Sequence, residues 1–251
     1  MGRRGNIVRR AGQEHRQALV DLVKTAARTT SAWRIWDDLM FFSAAALAQP
    51  LEWVQKREDE YLRRIKQYDA ETQALFPMMF AEIVMALEQE GITDVLGDIY
   101  MELEMYNHWK GQYFTPEPIC RMMGKIVDSD VPDLIEEHGF ISVHDSCCGS
   151  GAMLIAFAHN CHDDGIDFQR KVLFVGQDVD PVVARMCYIQ MSLLGMPGYV
   201  MIGDSLRYPP LVGKRHPECE YLFTPLYHIH GFRWRRPRQE SATEALSKSI
   251  L

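Results

Sequence analysis

The sequence predicts an α/β fold in which a helical region precedes a parallel sheet. Three observations carry that prediction. Between Phe140 and Leu206, short apolar runs alternate with helical patterns as strand, helix, strand, helix, strand, the order of a parallel sheet with crossover helices. Each of the three runs ends at an aspartate, on the side of the sheet where such folds bind ligands. From residue 11 to 107 apolar residues instead recur at helical spacing.

The first strand, Phe140-Ile141-Ser142-Val143-His144, runs into Asp145-Ser146-Cys147-Cys148-Gly149-Ser150-Gly151, and a helix follows from Ala152 to His159. Gly149 and Gly151 let the backbone turn tightly and let a ligand approach where a Cβ would clash. The helix start offers N–H groups and a positive dipole end to a carboxylate or phosphate. The second strand, Val172 to Gly176, ends in Gln177-Asp178, and a long helix from Pro181 reaches Leu194. The third, Tyr199 to Ile202, closes on Gly203-Asp204-Ser205-Leu206. Asp178 is placed to accept hydrogen bonds from ribose hydroxyls, and Asp204 from an adenine amino group. A nucleoside ligand suits this set. A dinucleotide suits it less, since G-x-G-x-x-G needs glycine where this chain has Leu154.

Upstream, Ser31 is placed to cap a helix carrying Trp33, Ile35, Trp36, Leu39 and Met40, with Pro50 near the start of the next. Ala74 to Leu87 is apolar but interrupted by Pro77, Gly91 offers a stop, and Ile92 to Tyr106 returns to helical spacing. Trp33, Trp36 and Trp53 are expected to need burial. Met78, Met79, Met85, Met101 and Met105 are expected to fill core. Asp133 to His138 is expected to be a surface segment leading into the first strand. With no low-complexity linker, the helices are expected to dock on the sheet as one body.

Composition bounds the function. A net charge of −7 over 251 residues is not that of a stand-alone nucleic-acid binder. Two local basic clusters qualify this: Arg3, Arg4, Arg9 and Arg10 at one end, Arg233, Arg235, Arg236 and Arg238 at the other. They read as solvated tails or as phosphate contacts. Six cysteines form no C-x-x-C pair, so no metal site is expected. No signal-peptide pattern and no apolar run of about 18 residues is visible, so the expected location is cytoplasmic, away from membranes.

Asp145-Ser-Cys-Cys-Gly-Ser-Gly resembles the S-adenosylmethionine motif D-P-[AC]-C-G-S-G of N6-adenine DNA methyltransferases. Gly176-Gln177-Asp178 resembles their ribose-binding acidic motif, and Gly203-Asp204-Ser205-Leu206 their G-D-S-L. Gly111-Gln112-Tyr113-Phe114-Thr115-Pro116 resembles the G-Q-F-F-T-P segment of modification subunits of type I restriction systems. The resemblance covers about Ile92 to Leu206. It implies a Rossmann-like S-adenosylmethionine-dependent methyltransferase sheet. The implied cofactor contacts are Tyr113, Phe114 and Thr115, then Asp145, Cys147, Gly149, Ser150 and Gly151, and Asp178, Asp204 and Ser205. Thr115 is also placed to cap a helix starting at Pro116. DNA, and a specificity or restriction-system subunit, are the implied partners.

Beyond Leu206 the pattern departs from that family, which carries [DNS]-P-P-[FYW] at the end of its fourth strand. There the polar residue and the first proline's carbonyl hold the target amine, and the aromatic stacks on the flipped base. Tyr208-Pro209-Pro210-Leu211 follows Asp204 too soon for another strand to intervene. Tyr221-Leu222-Phe223 is a strand candidate, ending in Thr224-Pro225-Leu226-Tyr227. In it Thr224, Pro225 and Tyr227 stand as a degenerate catalytic element, threonine being the poorer acceptor. The remaining length leaves a C-terminally truncated sheet whose edge a partner or second copy would cover. The expected organisation is a helical region at 1–110, the cofactor-binding domain at 111–232, and a basic, polar tail at 233–251. Two functions stay open: adenine-N6 methylation of DNA, or a cofactor-binding pseudoenzyme that regulates a partner.

Overall fold

The computed structural model describes residues 2–103, 115, 117–127, 130–210 and 215–232. Five helices come first: α1 (Gly2–Ala26), α2 (Ala32–Ala48), α3 (Gln55–Ile65), α4 (Ala70–Glu90) and α5 (Val95–Glu102). Then follow α6 (Glu117–Val127), α7 (Val131–His138), β1 (Ile141–Asp145), α8 (Ala152–Asp163) and α9 (Phe168–Lys171). The described chain continues through β2 (Val172–Asp178), α10 (Pro181–Leu193), β3 (Gly198–Ile202), β4 (Glu220–Phe223) and α11 (Pro225–Ile229).

The sheet has the order β1-β2-β3-β4. Its first three strands are parallel, with Asp145 opposite Gly176 and Asp178 opposite Ile202. The βαβαβ pattern in the sequence is therefore the pattern of the fold. The fourth strand is antiparallel to β3, pairing Phe223 with Tyr199 and Glu220 with Ile202. That direction decides where everything after Glu220 can lie.

Local chemistry accounts for the helix ends. Ser31 Oγ accepts from Arg34 N at 3.2 Å at the start of α2, and Asp69 caps α4 through Thr72 N at 2.8 Å. Gly91 ends α4 with φ of 78°, a conformation that favours glycine. Three expectations are corrected. Pro77 does not interrupt its helix: α4 runs through it, and the proline ring faces solvent. The Asp133 to His138 segment does lie on the surface before the first strand as expected, forming most of α7, ended by Gly139 at φ 83°. Of the tryptophans, Trp36 is fully buried, but Trp33 and Trp53 are 49% and 63% exposed. Met79 is core while Met78 and Met85 are exposed. By length and composition α4 is apolar enough to cross a membrane, yet it buries Phe76, Met79, Ile83, Ala86 and Leu87 in the core and packs chiefly on α1.

The hydrophobic core is continuous from the helices into the sheet: Trp36, Leu39 and Leu96 belong to the same cluster as Met186, Tyr188 and Val200. A charged seam runs along the same junction. Arg185 of α10 reaches Asp37 of α2 at 3.9 Å and Glu220 of β4 at 3.5 Å, while Arg57 of α3 reaches Glu220 at 3.6 Å. The Arg185 guanidinium also lies over the Phe41 ring, 5.1 Å from its centroid. Separating such buried partners would leave a costly unpaired charge, so the pairs favour this one arrangement of the junction.

Candidate functional site

Parallel strands deliver their last residues to one end of the sheet, and here that end is acidic. Asp145 and Asp178 end β1 and β2, and Asp204 follows β3, each half-buried. The loop after β1 is fastened to β2 twice. Cys148 N donates to Gln177 O at 2.9 Å, and Gly149 N donates to Asp178 Oδ2 at 2.9 Å. Gly149 and Gly151 have φ of 52° and 97°. At Gly151 a Cβ would also stand 2.8 Å from Cys187 Sγ, so glycine is required on two counts.

Each carboxylate is partly spent on its own backbone. Asp145 Oδ1 accepts from Cys147 N at 3.1 Å. Asp178 Oδ1 accepts from Asp180 N at 2.9 Å, and Asp204 Oδ1 from Leu206 N at 3.0 Å. Burial pushes the Asp145 and Asp178 carboxyls above the usual range, and their mutual charge adds to this at Asp145. A carboxylate oxygen has two lone-pair sites. Backbone N–H groups of Gly149, Val179 and Asp180 turn to the Asp178 carboxylate, which with two sites on each oxygen still keeps acceptor capacity for a ligand. Val179 and Leu206, 69% and 94% exposed, hold apolar surface beside Asp178 and Asp204.

A cavity of about 250 Å³ opens between α5 and α8, walled by Ile92, Asp94, Met101, Thr115, Ala152 and Ile155 among others. Thr115 is thus brought to the first turn of α8. Ser150 goes elsewhere: it is fully buried, and its hydroxyl donates to Asp94 Oδ2 at 2.5 Å. Cys147 is exposed and Ser205 half-buried. Tyr113 and Phe114 lie outside the described residues, as do Pro116, Leu211 and the arginines from Arg233 onward.

A sequence model of the N-6 DNA methylase family matches residues 91–230, more than half of the chain. The chain belongs to that family. It is 27% identical over 131 residues to the type I restriction enzyme MjaIX methylase subunit of Methanocaldococcus jannaschii. That match takes in 50% of this chain but 22% of the relative's length. Among solved structures, a Listeria monocytogenes protein described as a class I S-adenosylmethionine-dependent methyltransferase superposes with a TM-score of 0.48 at 16% identity, covering 91% of this chain and 71% of that one. The methyltransferase subunit of a type I restriction-modification system from Streptococcus thermophilus gives 0.40 at 17%, covering 82% and 61%.

In this member of the family, the residues expected to be catalytic are not brought to the acidic end. Because β4 runs antiparallel, its last residue lies beside the first residues of β3. Thr224 Oγ1 accepts from Gly198 N at 2.9 Å and is fully buried; Pro225 opens α11. The Tyr227 ring packs tilted against Phe223, ring centroids 4.8 Å apart. All three stand at the amino end of β3, a strand's length from Asp204.

Two glutamines and an aspartate at the acidic end escaped the sequence reading. Gln177 Nε2 donates to Gly203 O at 3.3 Å and Tyr208 O at 2.9 Å, tying β2 to the loop that carries Asp204. Its place inside Gly176-Gln177-Asp178 was the available signal. Asp94 and Gln190 together grip the Ser150 backbone and side chain. Neither sits in a motif, and Asp94 before Val95 looks like any helix cap.

Proposed function

We propose that this chain binds S-adenosylmethionine across the carboxyl ends of β1, β2 and β3, as the cofactor-holding part of an adenine-N6 DNA methyltransferase. The observation that carries the reading is the acceptor capacity that the Asp178 carboxylate keeps beside the glycine loop, after its bonds from backbone N–H groups. Ribose hydroxyls would take it up. Asp204 would accept from the adenine amino group, with Val179 and Leu206 against the ring faces. The methionyl end would meet the first turn of α8, near Asp145, Cys147, Gly149, Gly151 and Thr115. When bound, the cofactor supplies an activated methyl group for transfer to a nucleophilic amine. The chain's own residues orient it and exclude water. DNA and the other subunits of a restriction-modification system are the partners that this reading implies.

A second reading, a pseudoenzyme that retains the pocket and serves a partner complex, draws support from the position of Thr224, Pro225 and Tyr227 at the opposite end of the sheet. Transfer of tritiated methyl groups to mixed DNA, with and without neighbouring restriction-system subunits, separates the two. Incorporation supports the enzyme; none in either setting, with binding intact, supports the pseudoenzyme.

The pocket itself is tested by calorimetry with S-adenosylhomocysteine. Asp178→Ala removes both ribose acceptors and should weaken binding by about 1–3 kcal/mol, the range for charge-assisted bonds. Absence of saturation by the wild type at millimolar ligand would sink the assignment.

A further inference from the structure

The glycine loop has a single side chain with which it can be anchored between its two left-handed residues. Gly149 and Gly151 contribute none, and Ser150 stands between them, fully buried. Its hydroxyl donates to Asp94 Oδ2 at 2.5 Å, across 56 positions of sequence. Its carbonyl accepts from Gln190 Nε2 at 2.9 Å. That amide also donates to Asp94 Oδ1 at 2.8 Å, while Gln190 Oε1 accepts from Leu96 N at 3.0 Å. Gly97 N completes the set with a 2.8 Å bond to Asp94 Oδ1. A Cβ on Gly97 would collide with both the Asp94 carboxylate and the Ser150 hydroxyl. Three elements, α5, the loop and α10, therefore close on one carboxylate.

An ordinary capping aspartate has no need of this. Asp69 caps α4 from a fully solvent-exposed position. Asp94 caps α5 too, but it is half-buried between α5, the loop and α10, and desolvation raises its carboxyl above the usual range against the pull of its three donors. A buried acid is retained at a cost unless its hydrogen bonds hold something in place.

We infer that Asp94 is a positioning residue for the cofactor: from the helical region it grips Ser150 and so fixes the loop backbone from Gly149 to Ala152 against the strand-end carboxylates. The inference rests on the cofactor reading above. Two measurements separate the fates of the two. Hydrogen exchange at the amides of residues 149–152 in the full chain without ligand reads the clamp by itself. Calorimetry with S-adenosylhomocysteine, at a temperature where circular dichroism shows each variant folded, reads its consequence.

Asp94→Ala should speed loop exchange and weaken binding about tenfold, the scale of one hydrogen bond to a charged group. Ser150→Ala should do the same. Both remove the Asp94–Ser150 bond, and Asp94→Ala also removes the bonds from Gly97 and Gln190, so the double variant should lose no more than Asp94→Ala alone. Asp94→Asn keeps the acceptor for Gly97 and Gln190 and can donate to Ser150, so it should stay within about threefold of wild type. If Asp94→Ala does not fold, Ser150→Ala and Asp94→Asn carry the comparison. Wild-type exchange and affinity in Ser150→Ala, or additive losses in the double variant, would overturn the clamp and leave Asp94 a helix cap. A wild type that binds no cofactor sinks the proposed function instead, and loop exchange then decides the clamp alone.

Discussion

The two ends of the sheet are built from similar materials and put to different uses. At the carboxyl end, Asp145, Asp178 and Asp204 are each bonded to a neighbouring backbone N–H and remain half-exposed. At the amino end, hydrogen-bonding groups are paired with one another. Thr224 Oγ1 accepts from Gly198 N, Thr224 N donates to Gly198 O, and Tyr188 Oη donates to Phe223 O at 3.1 Å. Aromatic rings of Tyr199, Phe223 and Tyr227 close over the remainder. Unspent acceptor capacity marks a place for a ligand; mutual satisfaction marks structure. Strand direction alone sends Thr224 to the second kind of place.

The comparison is broken most severely at its glycines. A Cβ on Gly198 would run into the backbone oxygen of Phe174 on the neighbouring strand, where no rotamer can relieve it. Gly198→Ala should cost about 4 kcal/mol or more, at the extreme of single substitutions, read as a lost or much-lowered denaturant midpoint. Gly151→Ala meets a softer obstacle, the Cys187 thiol, together with its φ of 97°. It should cost about 1–3 kcal/mol of stability and weaken cofactor binding as well. Equal stability losses with unchanged binding in both would erase the distinction between the ends.

Thr224→Val sharpens the same contrast. Shape is kept, but Gly198 N loses its side-chain acceptor in a buried setting. A loss of about 1–3 kcal/mol is expected, with affinity for S-adenosylhomocysteine unchanged. A clear loss of affinity in the folded variant would return Thr224 to the site.

What the sequence disclosed follows the same division. Asp145, Asp178 and Asp204 were legible because a parallel βαβαβ unit fixes the direction of each strand, and direction fixes which residues share an end. Glu220 to Phe223 carried no such constraint. Four residues in strand spacing say nothing about their polarity, and the expected motif spacing suggested the wrong end. Asp94 was invisible for another reason: a capping aspartate has the same local pattern whether exposed, like Asp69, or half-buried and bonded to a loop 56 residues away. The exposure of Trp33 and Trp53 was likewise beyond periodicity, which names a face but not what covers it.

The smallest effect expected is in pH dependence, where the acidic end and the helical region should pull in opposite directions. Burial raises the Asp145 and Asp178 carboxyls, so the folded state binds protons there more tightly than the unfolded chain. Their contribution is complete below the ordinary aspartate range and is lost as pH rises through the raised values. Glu60, hydrogen-bonded first by Arg63 and then by Arg64, titrates at about 2. Its contribution is complete above the ordinary glutamate range and is lost as pH falls toward that value. Each raised carboxyl can tilt stability by at most about 1.4 kcal/mol per pH unit. Denaturant midpoints measured from pH 3 upward should therefore decline on the alkaline side of about pH 4, and Asp145→Asn with Asp178→Asn should flatten that decline. Glu60→Gln should flatten the acid limb and leave the other untouched. Asp94, whose carboxyl is raised in the same way, leaves a residual decline; a decline undiminished by both asparagines would mean that Asp145 and Asp178 are solvated in the folded protein, and that the strand ends hold no desolvated acceptors for a ligand to use.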